Sequence, residues 1–169
     1  MAKKILIVDD DAKNLKLLKI LIQNAGYETI EAENGEEAVR LAKVELGYSV
    51  GGIGLGLIGQ LAVQILRASG CHVIGIDISA EKCKLAMQYG AEAVAQSGKD
   101  DPVSISHYFS QGHGLDAVII FASTKSNEPL IQAAHMCRER GRIIAGGLIG
   151  LDIPRKVFYE KELDFAVSR

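Results

Sequence analysis

The fold is decided by residues 48–77, YSVGGIGLGLIGQLAVQILRASGCHVIGID. The apolar run Ser49–Ile53 predicts a buried strand, and the apolar residues further along the stretch predict a helix. Between these two runs, Gly54, Gly56 and Gly59 form a G-x-G-x-x-G spacing. A strand, a glycine turn and a helix in this order are typical of the first unit of a dinucleotide-binding α/β fold.

The glycine turn and the strand that follows the helix predict a binding site for NAD. The first glycine allows the tight turn, the second lets a pyrophosphate approach the backbone, and the third lets the helix pack closely on the strand. The N-terminus of the helix favours negative charge. Asp77 closes the second strand, where its carboxylate would accept hydrogen bonds from the adenosine ribose and disfavour a 2′-phosphate. The alternative is a βαβ turn in which the glycines serve packing only.

Composition indicates a domain with one sizeable core and excludes several classes of partner. The chain has 169 residues, of which 48% are hydrophobic, and a formal net charge of −2. We therefore predict neither a nucleic-acid nor a membrane partner. The N-terminus has no signal-peptide layout, which predicts a cytoplasmic protein. The three cysteines are expected to be reduced and buried or semi-buried. Histidines and cysteines show no metal-ligand spacing, so no metal site and no zinc are expected.

The first 46 residues predict a βαβα unit that resembles a known family. A strand at Lys4–Val8 is followed by a helix, a second strand at 27–32 and a helix at about 36–46. The sequence KKILIVDDDAKNLKLLKILIQNAGYETIEAENGEEAVRLAK resembles the first two βα units of a response-regulator receiver domain. The resemblance implies that Asp9 and Asp10 match the positions that bind Mg²⁺. The alternative is that these acids cap the helix or are solvated.

The receiver resemblance stops before the residue that would carry its chemistry. That family places a phospho-accepting aspartate at the end of the third strand. Here the third strand ends in Ile53 and Gly54, without an acid. We therefore expect no phosphorelay function, and Asp9 and Asp10 remain weak Mg²⁺ candidates only.

Residues from about 39 to 169 resemble the cofactor-binding domain of the zinc-type medium-chain alcohol dehydrogenase family. The likeness lies in GLGLIGQLAVQILRASGCHVIGIDISAEKCKLAMQYGA, DAVIIFAS, RERGRIIAGG and LDIPRKVFYEKELDF. It implies that Asp77 and Lys82 contact the adenosine ribose, and that segments 121–123 and 145–147 border the adenine and nicotinamide halves. The predicted cofactor-binding residues are Gly54, Gly56, Leu57, Ile58, Gly59, Asp77 and Lys82. In that family the catalytic zinc belongs largely to a preceding catalytic domain, so no catalytic residue is predicted here.

The two resemblances overlap within one predicted helix, at residues 39–43. Natural fusions normally join complete domains through exposed linkers. This overlap favours an engineered chimera. Because the catalytic zinc domain and the phospho-accepting aspartate are both missing, we expect that it is not an enzyme and has no native catalytic role, while retaining at most NAD(H) binding. Two alternatives are a residual NAD-dependent oxidoreductase of the alcohol dehydrogenase type and a fold-recombination scaffold that binds nothing.

The predicted fold class is α/β, a three-layer sandwich with a mostly parallel, doubly wound sheet of about seven or eight strands. Among its helices, one over 80–89 is predicted to be capped by Ser79, and one over 128–140 is predicted to end at Gly141. We expect a single Rossmann/flavodoxin-like hybrid domain over residues 1–169. It would combine a receiver-like βαβα fragment at 1–43 with a Rossmann-like dinucleotide-binding portion at 44–169. The two parent strand orders differ, so the order in the hybrid sheet is left open. A homodimer could form through an exposed edge strand.

Overall fold

The computed structural model of the chain describes residues 4–8, 20, 28–32 and 44–167. Within these residues, eight strands form two parallel sheets. The strands are β1 (Lys4–Val8), β2 (Glu28–Ala32), β3 (Ser49–Ile53), β4 (His72–Asp77), β5 (Ala93–Gln96), β6 (Leu115–Ile120), β7 (Cys137–Ala145) and β8 (Asp164–Val167). The helices are α1 (Leu57–Ala68), α2 (Ala80–Gln88), α3 (Pro102–Phe109), α4 (Glu128–Met136) and α5 (Arg155–Lys161).

The larger sheet has six strands in the order β5-β4-β3-β6-β7-β8. From β3 the chain runs outward through β4 to β5, returns to β6 beside β3, and then runs outward again to β8. This is the doubly wound Rossmann order. The chain reverses direction between β3 and β6, and ligands of such sheets bind at the carboxyl ends of the strands beside that reversal. The glycine turn follows β3, so it lies at this point.

The helices cover both faces of the six-stranded sheet. Neighbouring residues of one strand belong to different core clusters, as Val73 and Ile74 of β4 show. The Val73 face packs against α1 and α2 through residues such as Val63 and Ala86. The Ile74 face packs against α4 through residues such as Leu130. Because successive side chains of a strand point to opposite faces, this arrangement confirms the α/β three-layer sandwich.

The number of strands in the main sheet differs from the prediction of seven or eight. The sheet has six strands, because β1 and β2 form a separate two-stranded parallel sheet. Strand β3 is paired on one side with β4 and on the other with β6. A strand has only two hydrogen-bonding edges, so no edge of β3 is left for the N-terminal strands. The order of the main sheet is therefore Rossmann rather than hybrid.

Two predicted helix ends are also wrong. The helix expected over 128–140 ends at Met136, because Cys137 already pairs with Leu115 of β6 in extended conformation. The segment 138–141 then bulges from the ladder, and Arg140 takes a left-handed φ of 56°. The helix expected over about 36–46 does not reach its predicted end, since residues 44–46 are not helical. The earlier part of that helix lies outside the described residues.

Among the described residues, no helix has the length and apolarity needed to span a membrane.

Candidate functional site

The three glycines of the turn have three different structural roles. Gly54 has a left-handed φ of 95°, and a Cβ there would come within 2.5 Å of the backbone nitrogen of Ala122. A Cβ at Gly59 would overlap the carbonyl oxygen of Gly54. A Cβ at Gly56 would meet nothing within 4 Å. The first and third glycines are therefore required by the fold, whereas the second borders open space.

Helix α1 begins at this open space with an uncapped N-terminus. Gly56 is its N-cap, and the helix has neither a side-chain cap nor an acidic residue in its first turn. The side chains of Leu57 and Ile58 are 78% and 67% exposed. The first amide groups of a helix lack intrahelical partners and carry partial positive charge. The backbone of this turn can therefore donate hydrogen bonds to an anion.

Asp77 connects the glycine turn to the beginning of α2. Its side chain is nearly buried, and its Oδ2 accepts a hydrogen bond from the backbone N–H of Leu55 at 2.7 Å. Its Oδ1 accepts from the backbone N–H of Ser79 at 2.8 Å. The ammonium Nζ of Lys82 lies 4.0 Å from Oδ2, on a half-exposed side chain. Each carboxylate oxygen retains capacity for a further donor.

The predicted start of α2 is confirmed. Ser79 is the N-cap, and its hydroxyl oxygen accepts a hydrogen bond from the backbone N–H of Lys82. Because the cap fixes the first turn of α2, it also fixes the point from which the Lys82 side chain leaves the helix. The structure thus brings Asp77 and Lys82 together beside the glycine turn.

Gln60 contacts the glycine turn and the start of α2 as well, but it was not predicted from the sequence as a site residue. It lies one position after the third glycine and is 6% exposed. Its Nε2 donates to the carbonyl oxygen of Leu55 at 3.1 Å and to that of Lys82 at 2.9 Å. The only sequence signal was a polar residue among the apolar residues at the start of α1.

The loops after β6 and β7 form the other wall beside the turn. Phe121 donates its backbone N–H to the carbonyl of Ile53 at 2.7 Å, so the end of β6 adjoins the turn. Gly146 and Gly147 both donate to the carbonyl of Ile120 at 2.9 Å. Segments 121–123 and 145–147, which the family resemblance placed along the dinucleotide, are therefore next to one another and to the turn.

A large cavity lined by described residues lies elsewhere. It has a volume of about 1080 Å³ and opens at the amino ends of β3, β4 and β5, with His72, Glu92, His107 and His113 among its lining residues. His72 and Glu92 are both well exposed to solvent, and Nδ1 of His72 lies within hydrogen-bond distance of a carboxylate oxygen of Glu92, at 3.0 Å. We place the candidate site at the glycine turn, because a wide, solvent-exposed depression lacks the fixed polar groups that select a ligand.

Metal ligands do not assemble in the described part of the chain. No three side chains of His, Cys, Asp or Glu within it are grouped so that they could hold a metal ion. The described residues therefore do not fit a zinc ion. Asp9 and Asp10, the weak Mg²⁺ candidates, lie outside the described residues. The cysteines Cys71, Cys83 and Cys137 are free and buried, as predicted.

Comparison with known proteins assigns most of the chain to one family. The profile of the family described as "Zinc-binding dehydrogenase" matches residues 58–168. An alcohol dehydrogenase of Geobacillus stearothermophilus is 33% identical over 122 residues, which cover 72% of this chain and 35% of that protein. An NAD-dependent alcohol dehydrogenase of Sulfurisphaera tokodaii is 31% identical over 140 residues, which cover 82% of this chain and 40% of that protein.

Solved structures agree with the sequence relatives. The crystal structure of the alcohol dehydrogenase from the hyperthermophilic archaeon Aeropyrum pernix superposes with a TM-score of 0.69 at 29% identity. The match covers 79% of this chain and 39% of that one. The 2R,3R-butanediol dehydrogenase of Bacillus subtilis gives a TM-score of 0.68 at 26% identity. In the two sequence relatives, the matched part of this chain corresponds to only 35–40% of the length of the whole protein.

The interpretation of the chain as an engineered chimera without a catalytic role is wrong, and so is the prediction that it is not an enzyme. The matched family is one of dehydrogenases, and both sequence relatives are named alcohol dehydrogenases. The chimera was inferred from the overlap of two resemblances, and the lack of enzymatic activity from missing catalytic groups. The absence of such groups from a chain that spans only 35–40% of its relatives does not decide whether the protein is an enzyme. The alternative of an NAD-dependent alcohol-dehydrogenase-type oxidoreductase fits better, and the chain belongs to the zinc-binding dehydrogenase family.

Proposed function

We propose that the chain is the NAD(H)-binding portion of an NAD-dependent oxidoreductase of the alcohol dehydrogenase type. The observation that carries the proposal is the open backbone at Gly56, which lies at an uncapped helix N-terminus and close to a nearly buried aspartate. The residues assigned to the site are Gly54, Gly56, Leu57, Ile58, Gly59, Asp77 and Lys82.

The turn binds the pyrophosphate, and Asp77 binds the adenosine ribose. The pyrophosphate oxygens accept hydrogen bonds from the backbone N–H groups at 56–58, where the helix dipole favours negative charge. The dinucleotide can approach this backbone because Gly56 has no side chain. Bound NAD supplies the nicotinamide ring that exchanges a hydride with a substrate. Segments 121–123 and 145–147 of this chain border the adenine and nicotinamide halves and so hold the dinucleotide in position.

Asp77 selects NAD over NADP. Its two oxygens already accept backbone N–H groups of Leu55 and Ser79, which hold the carboxylate in one orientation. The remaining lone pairs are free for the ribose hydroxyls. A 2′-phosphate would bring a second negative charge close to this carboxylate, and the ammonium of Lys82 at 4.0 Å offsets only part of the repulsion. We expect NADH to bind at least about tenfold more tightly than NADPH.

Calorimetric titration with NADH and NADPH tests the cofactor assignment. Asp77→Ala should weaken NADH binding by about tenfold or more, since a hydrogen bond to a charged group is lost. Its thermal unfolding is measured in parallel, because Asp77 also holds Leu55 and Ser79. The matched control is Glu81→Ala, which removes an exposed acid from the first turn of α2, the helix that follows Asp77. No saturable binding of NADH to the wild-type protein would refute the proposal, and an unchanged affinity of Asp77→Ala would remove Asp77 from the site.

Oxidoreductase activity is tested with simple alcohols. The protein is incubated with NAD, an alcohol and Zn²⁺, and formation of NADH is followed by its absorbance. Asp77→Ala and Glu81→Ala are assayed beside it. Activity that falls with Asp77→Ala and is retained in Glu81→Ala supports the proposal. Activity that both variants retain in full would place the reaction outside this site.

Residues 1–43 are proposed to form a receiver-like βαβα fragment ahead of the dinucleotide-binding portion at 44–169. The parallel pairing of β1 with β2, from Lys4 opposite Glu28 to Val8 opposite Ala32, supports a βαβ unit there. If Asp9 and Asp10 bind Mg²⁺, added Mg²⁺ should shift their amide signals in a heteronuclear NMR spectrum at millimolar concentration. Unchanged signals would dismiss the Mg²⁺ candidates.

A homodimer through an edge strand is proposed as well. Strands β5 and β8 are the outermost strands of the six-stranded sheet, and unpaired edges invite pairing with another chain. Sedimentation equilibrium measures the mass in solution. A monomer at all concentrations would exclude the dimer.

A further inference from the structure

Gln60 makes two hydrogen bonds that join the glycine turn to a neighbouring helix. One N–H of its amide reaches the carbonyl of Leu55 in the turn, and the other reaches the carbonyl of Lys82 in α2. The side chain is almost fully buried. Its Oε1 has no hydrogen-bond partner among the described residues. Exchanging the amide nitrogen and oxygen would place Oε1 against two carbonyl oxygens, so this orientation is the one that the surroundings allow.

The peptide groups on both sides of Leu55 are consequently held by buried side chains. Asp77 accepts the N–H of Leu55 at 2.7 Å, and Gln60 donates to its carbonyl oxygen at 3.1 Å. The Leu55 side chain itself is 1% exposed and packs against Gly75. No rotation of this residue is possible without breaking at least one of these contacts.

The hydrogen bond from Gln60 to the carbonyl of Leu55 determines the direction of the N–H of Gly56. The carbonyl of Leu55 and the N–H of Gly56 belong to one planar peptide group, and cis peptide bonds are absent from the described residues. In a trans peptide the two groups point in opposite directions. Because Gln60 holds the carbonyl toward the buried side, the N–H of Gly56 points to the opposite, open side. Without that bond, the peptide could rotate easily, since glycine tolerates many backbone conformations.

We infer that Gln60 is a positioning residue that aims the N–H of Gly56 at the pyrophosphate of the dinucleotide. This inference rests on the proposed NAD(H) site and extends it to a residue that does not itself touch the ligand. It assigns to Gln60 an effect on ligands that carry a pyrophosphate. Ligands without one gain nothing from the orientation of this amide.

Gln60→Met tests the inference, because methionine has a similar volume and shape and cannot donate. Its affinity for ADP-ribose, measured by calorimetry, should fall by about ten- to hundredfold, the effect of one hydrogen bond to a charged group. Its affinity for adenosine, measured by competition, should stay unchanged. The control is Gln64→Met one turn later, where the exposed side chain donates to the carbonyl of Gln60 and, among the described residues, to no other group. An equal loss of affinity for ADP-ribose and adenosine, or an unchanged affinity for ADP-ribose, would overturn the inference.

A second measurement on the wild-type protein does not depend on the folding of any variant. The amide proton of Gly56 should exchange rapidly with solvent in the free protein and slowly when ADP-ribose is bound. Adenosine should not slow it. Protection of Gly56 in the free protein would show that its N–H points inward and would overturn the inference. Absence of ADP-ribose and NADH binding to the wild-type protein would instead refute the proposed function, and the inference with it.

Discussion

Replacing Gly56 and Gly59 by alanine should separate ligand binding from protein stability. A Cβ at Gly56 would meet nothing within 4 Å, and the backbone there has an ordinary φ of −69°. Alanine is a poorer N-cap than glycine but lowers the entropy of the unfolded chain, so the free energy of unfolding should change by less than about 1 kcal/mol. A Cβ at Gly59 would overlap the carbonyl oxygen of Gly54. Gly59→Ala should therefore cost about 1–3 kcal/mol of stability.

NADH binding should respond differently in the two variants. The methyl group of Gly56→Ala would occupy the open space that the pyrophosphate needs, so we expect an affinity loss of about ten- to hundredfold in a folded protein. Urea unfolding followed by circular dichroism gives the stabilities, and calorimetry gives the affinities. Wild-type affinity in Gly56→Ala would show that the pyrophosphate does not bind there. A larger loss of stability in Gly56→Ala than in Gly59→Ala would refute the packing argument.

Two further predictions concern an acid at the amino end of β6 and the dependence of stability on pH. The carboxylate of Asp116 accepts hydrogen bonds from the backbone N–H of Ser49 at 2.8 Å and from Nε of Arg138 at 2.7 Å. Asp116→Ala should lower the free energy of unfolding, measured in urea, by about 1.5–3 kcal/mol. The control Asp164→Ala, which breaks an exposed ion pair, should lower it by less than about 1 kcal/mol. Equal losses of stability in the two variants would contradict this prediction. Burial raises the pKa of Cys137 from 9.0 to about 12. The unfolded chain therefore releases this proton before the folded protein does, and the stability that the buried neutral thiol contributes at lower pH is lost as the pH rises from about 9 toward 12. Over that pH range, the free energy of unfolding should fall less steeply in Cys137→Ala than in the wild-type protein. An identical slope in both proteins would show that this thiol does not cause the loss of stability.

Local sequence patterns predicted the elements around the site well. The bounds of β3 were predicted correctly, and so was the cap of α2 by Ser79. Both depend on interactions within a few residues: an apolar run between polar segments, and a hydroxyl three residues before the amide that it binds. The different roles of Gly54 and Gly56 followed from their spacing, because the backbone geometry of the turn recurs wherever that spacing follows a strand.

Non-local pairing explains the errors in the elements. The end of α4 was predicted from Gly141, a common helix stop. In the structure the helix ends earlier, because Cys137 pairs with Leu115, a residue more than twenty positions away. Sequence periodicity contains no information about this pairing. The prediction of a single sheet failed for a similar reason, since β1 and β2 form a sheet of their own.

The sequence alone determined the α/β alternation, the glycine turn and the acid at the end of β4, since each follows from local periodicity and backbone sterics. Only the tertiary structure decided which strands are neighbours and which side chains hold the turn. Gln60 and Asp77 are 17 residues apart in the sequence, yet they bind the two sides of Leu55. Such a contact exists only once the sheet and two helices have packed, because hydrogen bonds between distant residues depend on the geometry of the whole core.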